Sequence, residues 1–227
     1  HYASSSGFDL PNYPTSGSDA NHYITGCYVS NFRNNSNRNG IRITTCRGTI
    51  ISDIQMRTIG GNGIWMDSAP DHHIAQVHLG SLDGNGYLVA GGNGKYTNCK
   101  AFYCNGWGFD VSSSRVQFYG IESQDNVNGV RMASTDGLAS GMQIDTPQTV
   151  GLSIASSGLV IDGLQVFNRG SGRFATTATG VQFVSTPNNC IVVGRVGSSN
   201  ITTRISGTTS GTGNFVRLTG SGLTSQG

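Results

Sequence analysis

The chain has 227 residues, a formal net charge of +2, 11% charged residues, 36% hydrophobic residues and 34 glycines, which is enough for one sizeable domain. Average chains carry about 25% charged residues and roughly 7% glycine, so a coiled coil or charged helix bundle is excluded, and the concentrated basic footprint of a nucleic-acid binder is missing. The glycines follow no G-X-Y period, apolar residues recur too steadily for disorder, and no apolar run approaches the roughly 18 residues of a membrane-spanning helix.

From the amino terminus, residues 1–19 hold Pro11, Pro14 and many serines and read as a loop or the remains of an earlier coil. A start at His1, with no basic segment ahead of an apolar one, reads as a mature product or a piece of a longer chain. From residue 20 to residue 185 the sequence repeats. A glycine followed by an apolar, a variable and an apolar residue recurs at Gly40-Ile41-Arg42-Ile43, Gly63-Ile64-Trp65-Met66, Gly86-Tyr87-Leu88-Val89, Gly108-Phe109-Asp110-Val111, Gly129-Val130-Arg131-Met132, Gly151-Leu152-Ser153-Ile154 and Gly180-Val181-Gln182-Phe183. The spacings are 23, 23, 22, 21, 22 and 29. Asn39, Asn62, Asn85 and Asn128 precede four of these glycines, and Asn-Gly readily accepts positive φ, so each repeat is expected to turn there and begin a strand.

A second strand sits upstream of each glycine, with inward pairs such as Ile54 and Met56, Val77 and Leu79, Cys99 and Ala101, Met142 and Ile144, and Leu164 and Val166. A third apolar position lies ahead of these, at Ile24, Ile51, Ile74, Tyr96, Phe118 and Ile161. A unit this short cannot bury its apolar face alone, but units stacked at strand spacing form a continuous core. The expected fold is an all-β, single-domain parallel β-helix, a solenoid of about seven to eight coils of roughly 22 residues. Regular hairpins do not keep one triplet in one phase seven times, and the leucine ladder of a leucine-rich repeat is missing.

Side chains alternate faces along a strand, so residues between inward positions form outward columns. One runs Arg42, Trp65, Leu88, Asp110, Arg131, Ser153, Gln182; another runs Tyr28, Gln55, His78, Lys100, Glu122, Gln143, Gln165. Function is expected on these strips. The coil from Ser157 to Ser185 is lengthened by Asn168-Arg169-Gly170-Ser171-Gly172-Arg173, which reads as a protruding loop. Residues 186–227, rich in Gly, Ser and Thr, read as the final coil and a carboxyl-terminal cap or oligomer contact, with weak strands near Ile191–Val193, Ile201–Ile205 and Phe215–Leu218. The five cysteines are odd in number and show no CxxC spacing, so mostly buried free thiols are expected, and neither a disulfide framework nor a zinc site.

These Asn-Gly coils, the polar turns and the run Asn200-Ile201-Thr202-Thr203-Arg204-Ile205-Ser206-Gly207 followed by Gly213-Asn214-Phe215-Val216-Arg217 resemble the right-handed, pectate-lyase-like β-helix of phage tail spikes and of secreted polysaccharide lyases, hydrolases and epimerases. The resemblance covers residues 20 to 218 and is strongest toward tail-spike and tail-fibre proteins. It implies a homotrimer that binds, and in some cases cleaves, host-surface polysaccharide, placed in the virion tail or outside the cell. A secreted single-chain polysaccharide hydrolase, lyase or epimerase is the alternative, and a purely structural solenoid the second alternative. Asn105-Gly106-Trp107-Gly108-Phe109-Asp110 resembles the epimerases, although Val111-Ser112 stands where they carry Pro-His.

Hydrolysis of a glycosidic bond needs two carboxyls, and the chain holds eleven Asp and a single Glu. Glu122 and Asp110, outward on adjoining coils, are the candidate catalytic residues, with Asp125 a third; a Lys100–Glu122 ion pair between neighbouring strands is the plainer account of that pair. No column holds two successive acids, so a glycoside hydrolase is expected over a calcium-dependent lyase, with no metal and no cofactor. Trp65, Arg131, His78 and Lys100 are the candidate substrate-binding residues; Trp65 suits a sugar platform or a contact beneath a neighbouring chain. Asp71-His72-His73 is the densest group of potential ligands, yet adjacent histidines on an extended chain point to opposite faces, so turn capping accounts for them. The expected partners are a polysaccharide and two further copies of the chain, with no nucleic acid and no membrane.

Overall fold

In a computed structural model, which describes residues 6–10, 22–32, 38–197, 199–207 and 211–220, 22 strands form two stacked sheets and no helix is found among the described residues. Sheet A stacks nine strands: Ser6–Leu10, Asn39–Thr44, Ile64–Asp67, Tyr87–Val89, Trp107–Val111, Asn128–Met132, Val150–Ile154, Thr177–Phe183 and Ile201–Ser206. Sheet B stacks thirteen, running from Tyr23–Thr25 and Tyr28–Phe32 to Phe215–Thr219. Strands within each sheet pair in parallel. Each coil therefore supplies one strand to sheet A and, after a corner, a bent pair of segments to sheet B before climbing one strand spacing. This is a single-domain parallel β-helix.

The continuation past residue 185 keeps the same path. Ile191–Val196 and Ile201–Ser206 pair with the coil before them, and Phe215–Thr219 begins another. At the other end Ser6–Leu10 pairs with Asn39–Thr44, while residues 1–5 and 11–21 of the amino-terminal segment, and 221–227 at the other terminus, lie outside the described residues.

Inward columns line the core because every coil repeats the same apolar phase. Ile41, Ile64, Tyr87, Phe109, Val130, Leu152 and Val181 are in register and fully buried on sheet A, facing Ile51, Ile74, Tyr96, Phe118, Ala139 and Ile161 of sheet B. Tyr87 and Phe109 stack with ring centroids 4.5 Å apart, and Phe109 meets Phe118 edge-on at 5.5 Å. The Tyr87 hydroxyl donates to the Val77 carbonyl at 2.7 Å, which satisfies its polar end. Each such apolar side chain contributes about 1.5–3 kcal/mol by burial, so a helix with no cross-link still has an extended core.

Positive φ marks the corners, but not where the Asn-Gly pairs lie. One left-handed column, at the turn from sheet A to sheet B, runs Gly48, Asp71, Asn93, Arg115, Asp136, Gly158, Asn189; a second, at the bend within sheet B, runs Gly26, Asp53, Gln76, Asn98, Gly120, Gly141, Gly163. Neither the four asparagines nor the glycines after them adopt positive φ, contrary to the turn expected of them. They serve stacking instead. Asn39 Oδ1 accepts from the Asn62 backbone N–H and side-chain amide, Asn62 Oδ1 accepts from the Asn85 N–H, and Asn85 Oδ1 accepts from the Trp107 N–H. At the glycines the coils approach so closely that a Cβ on Gly63 would sit 2.8 Å from both the Gly86 carbonyl oxygen and Leu79.

Candidate functional site

Both outward columns form as the repeat implies. On sheet A, Arg42, Trp65, Leu88, Asp110, Arg131, Ser153 and Gln182 are successive register partners. On sheet B, Tyr28, Gln55, His78, Lys100, Glu122, Gln143 and Gln165 are. Glu122 and Asp110 are thus on different sheets, each held by a cation of its own column, and do not form one catalytic pair. Glu122 accepts from Lys100 Nζ at 2.9 Å, both ends of the bridge being about three-tenths exposed. Arg131 and Trp65 share the strip of Asp110, whereas His78 and Lys100 share that of Glu122.

Asp110 is the unusual member. It projects outward between the inward Phe109 and Val111, yet its side chain is only 7% exposed. Arg131 Nε donates to Oδ1 at 2.6 Å and the Asn85 amide donates to Oδ2 at 3.3 Å. Burial pushes its carboxyl above the ordinary carboxylate value, against the opposing pull of Arg131 and the hydrogen bonds from Arg131 and Asn85. A carboxyl that is shielded, oriented by two donors and raised is suited to giving and taking protons.

Trp107 also belongs to this site. It takes the place in the asparagine column between Asn85 and Asn128, and the Arg131 guanidinium lies 5.9 Å from its ring centroid. The signal in the sequence is the substitution of an aromatic for asparagine in the repeat's own consensus, at spacings of 22 and 21. Two coils away, the Arg42 guanidinium covers Trp65 at 4.3 Å and pairs with Asp67 at 2.7 Å. Sheet A therefore presents two half-buried indoles, two arginines and a shielded carboxyl along one face.

The corner from sheet B to sheet A beside this strip is closed by the long loop, which folds back instead of standing away from the helix. Arg169 bridges Asp125 at 2.7 Å and Asp145 at 3.0 Å, two carboxyls 1% and 6% exposed. The Arg173 N–H donates to Asp125 at 3.0 Å, and its guanidinium reaches the Cys104 carbonyl and Asn105, three coils back along the axis. Asp125 is thereby a structural anchor. Thr146 donates to Asp145 at 2.7 Å; burial moves the Asp145 carboxyl upward, with Thr146 and Arg169 opposing.

The remaining candidates are structural. His72 is buried, with Nδ1 2.7 Å from the Ala69 carbonyl and Nε2 2.8 Å from the Tyr96 hydroxyl, while His73 is exposed, so the adjacent histidines do not converge. Cys46, Cys99, Cys104 and Cys190 are buried and Cys27 half-buried. Burial raises the Cys99 thiol to about 11 and the Cys104 thiol further, which opposes a thiolate role. Among the described residues no group of three or more His, Cys, Asp or Glu is placed to hold a metal ion, and no helix is long and apolar enough to cross a membrane.

No family model matches the chain, and no curated protein matches it. Its structure is similar to that of the A-module of the mannuronan C-5 epimerase AlgE6 of Azotobacter vinelandii, with a TM-score of 0.66 and 16% identity over 90% of this chain and 71% of that one. At that identity the likeness establishes the β-helix fold.

Proposed function

We propose that the chain is a carbohydrate-active β-helix that binds an extended anionic polysaccharide along the outer face of sheet A and transfers protons on it at Asp110. The observation that carries this reading is the placement of one shielded, raised carboxyl among Arg131, Asn85 and Trp107 in an outward strip that also holds Arg42 and Trp65. The uncovered parts of the indoles offer apolar surface to sugar rings, and the guanidinium N–H groups beyond those that hold Asp67 and Asp110 suit a ligand carboxylate. Asp110 is the one acid of the register column, and Asp67 lies two coils away, paired with Arg42, so the chemistry fits removal of the proton beside a uronate carboxylate better than two-carboxyl hydrolysis. Asp110 takes the proton, Arg131 steadies the charge on the carboxylate, and the carbanion then either takes a proton back at the same carbon or expels the neighbouring glycosidic oxygen, which leaves with a proton from water. The polysaccharide-modifying epimerase with the same fold supports this class of substrate.

A tail-spike-like receptor-binding role, as a homotrimer on a virion or outside the cell, is the second reading. It is favoured by an exposed apolar column on sheet B, where Leu138, Val160, Ile191 and Phe215 are register partners and the last three are 36%, 42% and 51% exposed. Such a stripe suits contact between chains.

The test of the first reading is tryptophan emission during titration with polymannuronate and polygalacturonate oligomers, because both tryptophans lie on sheet A. A saturable change that survives Asp110→Asn but weakens in an Arg42→Ala, Arg131→Ala double variant is expected. Flat emission with every uronate oligomer would remove sheet A as the binding face.

A further inference from the structure

Sheet B carries a feature that the sheet A strip does not use. Its internal bend needs a left-handed residue in each coil, and Gly26, Gly120, Gly141 and Gly163 supply it in four of them. In three successive coils the bend is instead made by Asp53, Gln76 and Asn98, with φ of 54°, 54° and 51°. Non-glycine residues also hold positive φ at other corners, so what distinguishes these three coils is the polar side chains they carry at this bend. These three side chains, with Gln55 and His78, line an open cleft of about 450 Å³ on the outer face. All five are exposed.

Further along the same face, outside the cleft's lining, lies Phe102. Phe102 extends from its own strand over Gly80, the register partner one coil earlier, and a Cβ at Gly80 would collide with the ring. Gly80 is thus glycine so that the ring can lie against the backbone. Arg57 and Lys100 flank that ring at 5.3 and 5.8 Å from its centroid, and Gly80 follows His78 by two residues on the same face.

The geometry points to a second carbohydrate-binding site on sheet B, separate from the sheet A strip, that takes a neutral, hydroxyl-rich oligosaccharide. Gln55, Gln76, Asn98, Asp53 and His78 supply donors and acceptors to ring hydroxyls at strand-spaced intervals, and Phe102, outside the lining, offers apolar surface next to them. The site stands whether or not sheet A acts on a uronate.

The test is calorimetric titration of the full chain with cellohexaose, xylohexaose and mannohexaose, with tryptophan emission followed in parallel. Saturable heat with at least one of them and unchanged emission are expected, since neither tryptophan lies on sheet B. A Gln76→Gly, Asn98→Gly double variant restores the residue that other coils use at the bend; it is expected to melt no lower than the parent and to bind about tenfold or more weakly. Asp110→Asn is expected to leave this binding intact. The site is refuted if none of the three sugars gives heat, if the double variant binds as tightly as the parent, or if Asp110→Asn removes the binding.

Discussion

At the residue scale, the chemistry turns on how two groups are held away from water. Asp110 is raised by burial and lowered by Arg131, so the two effects oppose. Acting as a base it must be ionised, and the acid limb of its pH–rate profile is therefore expected above the ordinary carboxylate range. Removing the guanidinium with Arg131→Ala takes away a lowering influence and is expected to move that limb to still higher pH, as pH profiles of kcat/KM on a uronate polymer will reveal. His72 works the other way. Burial holds its imidazole at about 4, below the ordinary 6.5, so between those values the unfolded chain binds a proton that the folded chain does not. Its contribution to stability is complete above about pH 6.5 and is lost as pH falls toward 4, by about 3 kcal/mol in total. Urea unfolding across that range should show the loss, and His72→Gln should remove this part of the slope.

At the element scale, the corner loop is held by charge rather than by apolar packing. Arg169 is over a third exposed, but it faces two carboxyls that are nearly fully buried. Arg169→Ala leaves those carboxyls without their cation and is expected to destabilise the chain by about 1–3 kcal/mol, after allowing for the exposure of the arginine. Limited proteolysis between residues 168 and 176 should quicken in that variant before the rest of the chain is cut. The loop also shows where reading the sequence stops. Inward and outward columns were legible because a solenoid converts a fixed period into a fixed register, so Asp110 beside Arg131 and Lys100 beside Glu122 follow from spacing alone. Arg169 lies 44 residues from Asp125, and no periodic rule brings the two together. Asn-Gly departs from its turn preference for a related reason: local preference competes with close stacking of coils, and the stacking partner is about two dozen residues away. Trp107 shows in the sequence only as one break in the asparagine column, and a single break carries no periodic signal.

At the scale of the whole molecule, one stacked core supports two outward faces of different character. Sheet A gathers indoles, arginines and Asp110; sheet B carries amides, the Lys100–Glu122 pair and, toward its carboxyl-terminal coils, the apolar column ending at Phe215. If that column is a chain–chain contact, light scattering should give a mass about three times that of one chain, and Val160→Lys with Ile191→Lys should return it to a single chain with its β-sheet circular dichroism kept. A single-chain mass in the parent protein would sink the trimer.

The most direct measurement is of proton transfer itself: nuclear magnetic resonance of polymannuronate and polygalacturonate incubated with the chain in deuterated water. Deuterium at the carbon beside the carboxylate, or a new double bond there, is expected from the parent protein, with the rate falling by about 10²–10⁴-fold in Asp110→Asn. New reducing ends without deuterium or unsaturation, or deuterium entering as fast in the Asp110→Asn variant, would contradict proton transfer at Asp110.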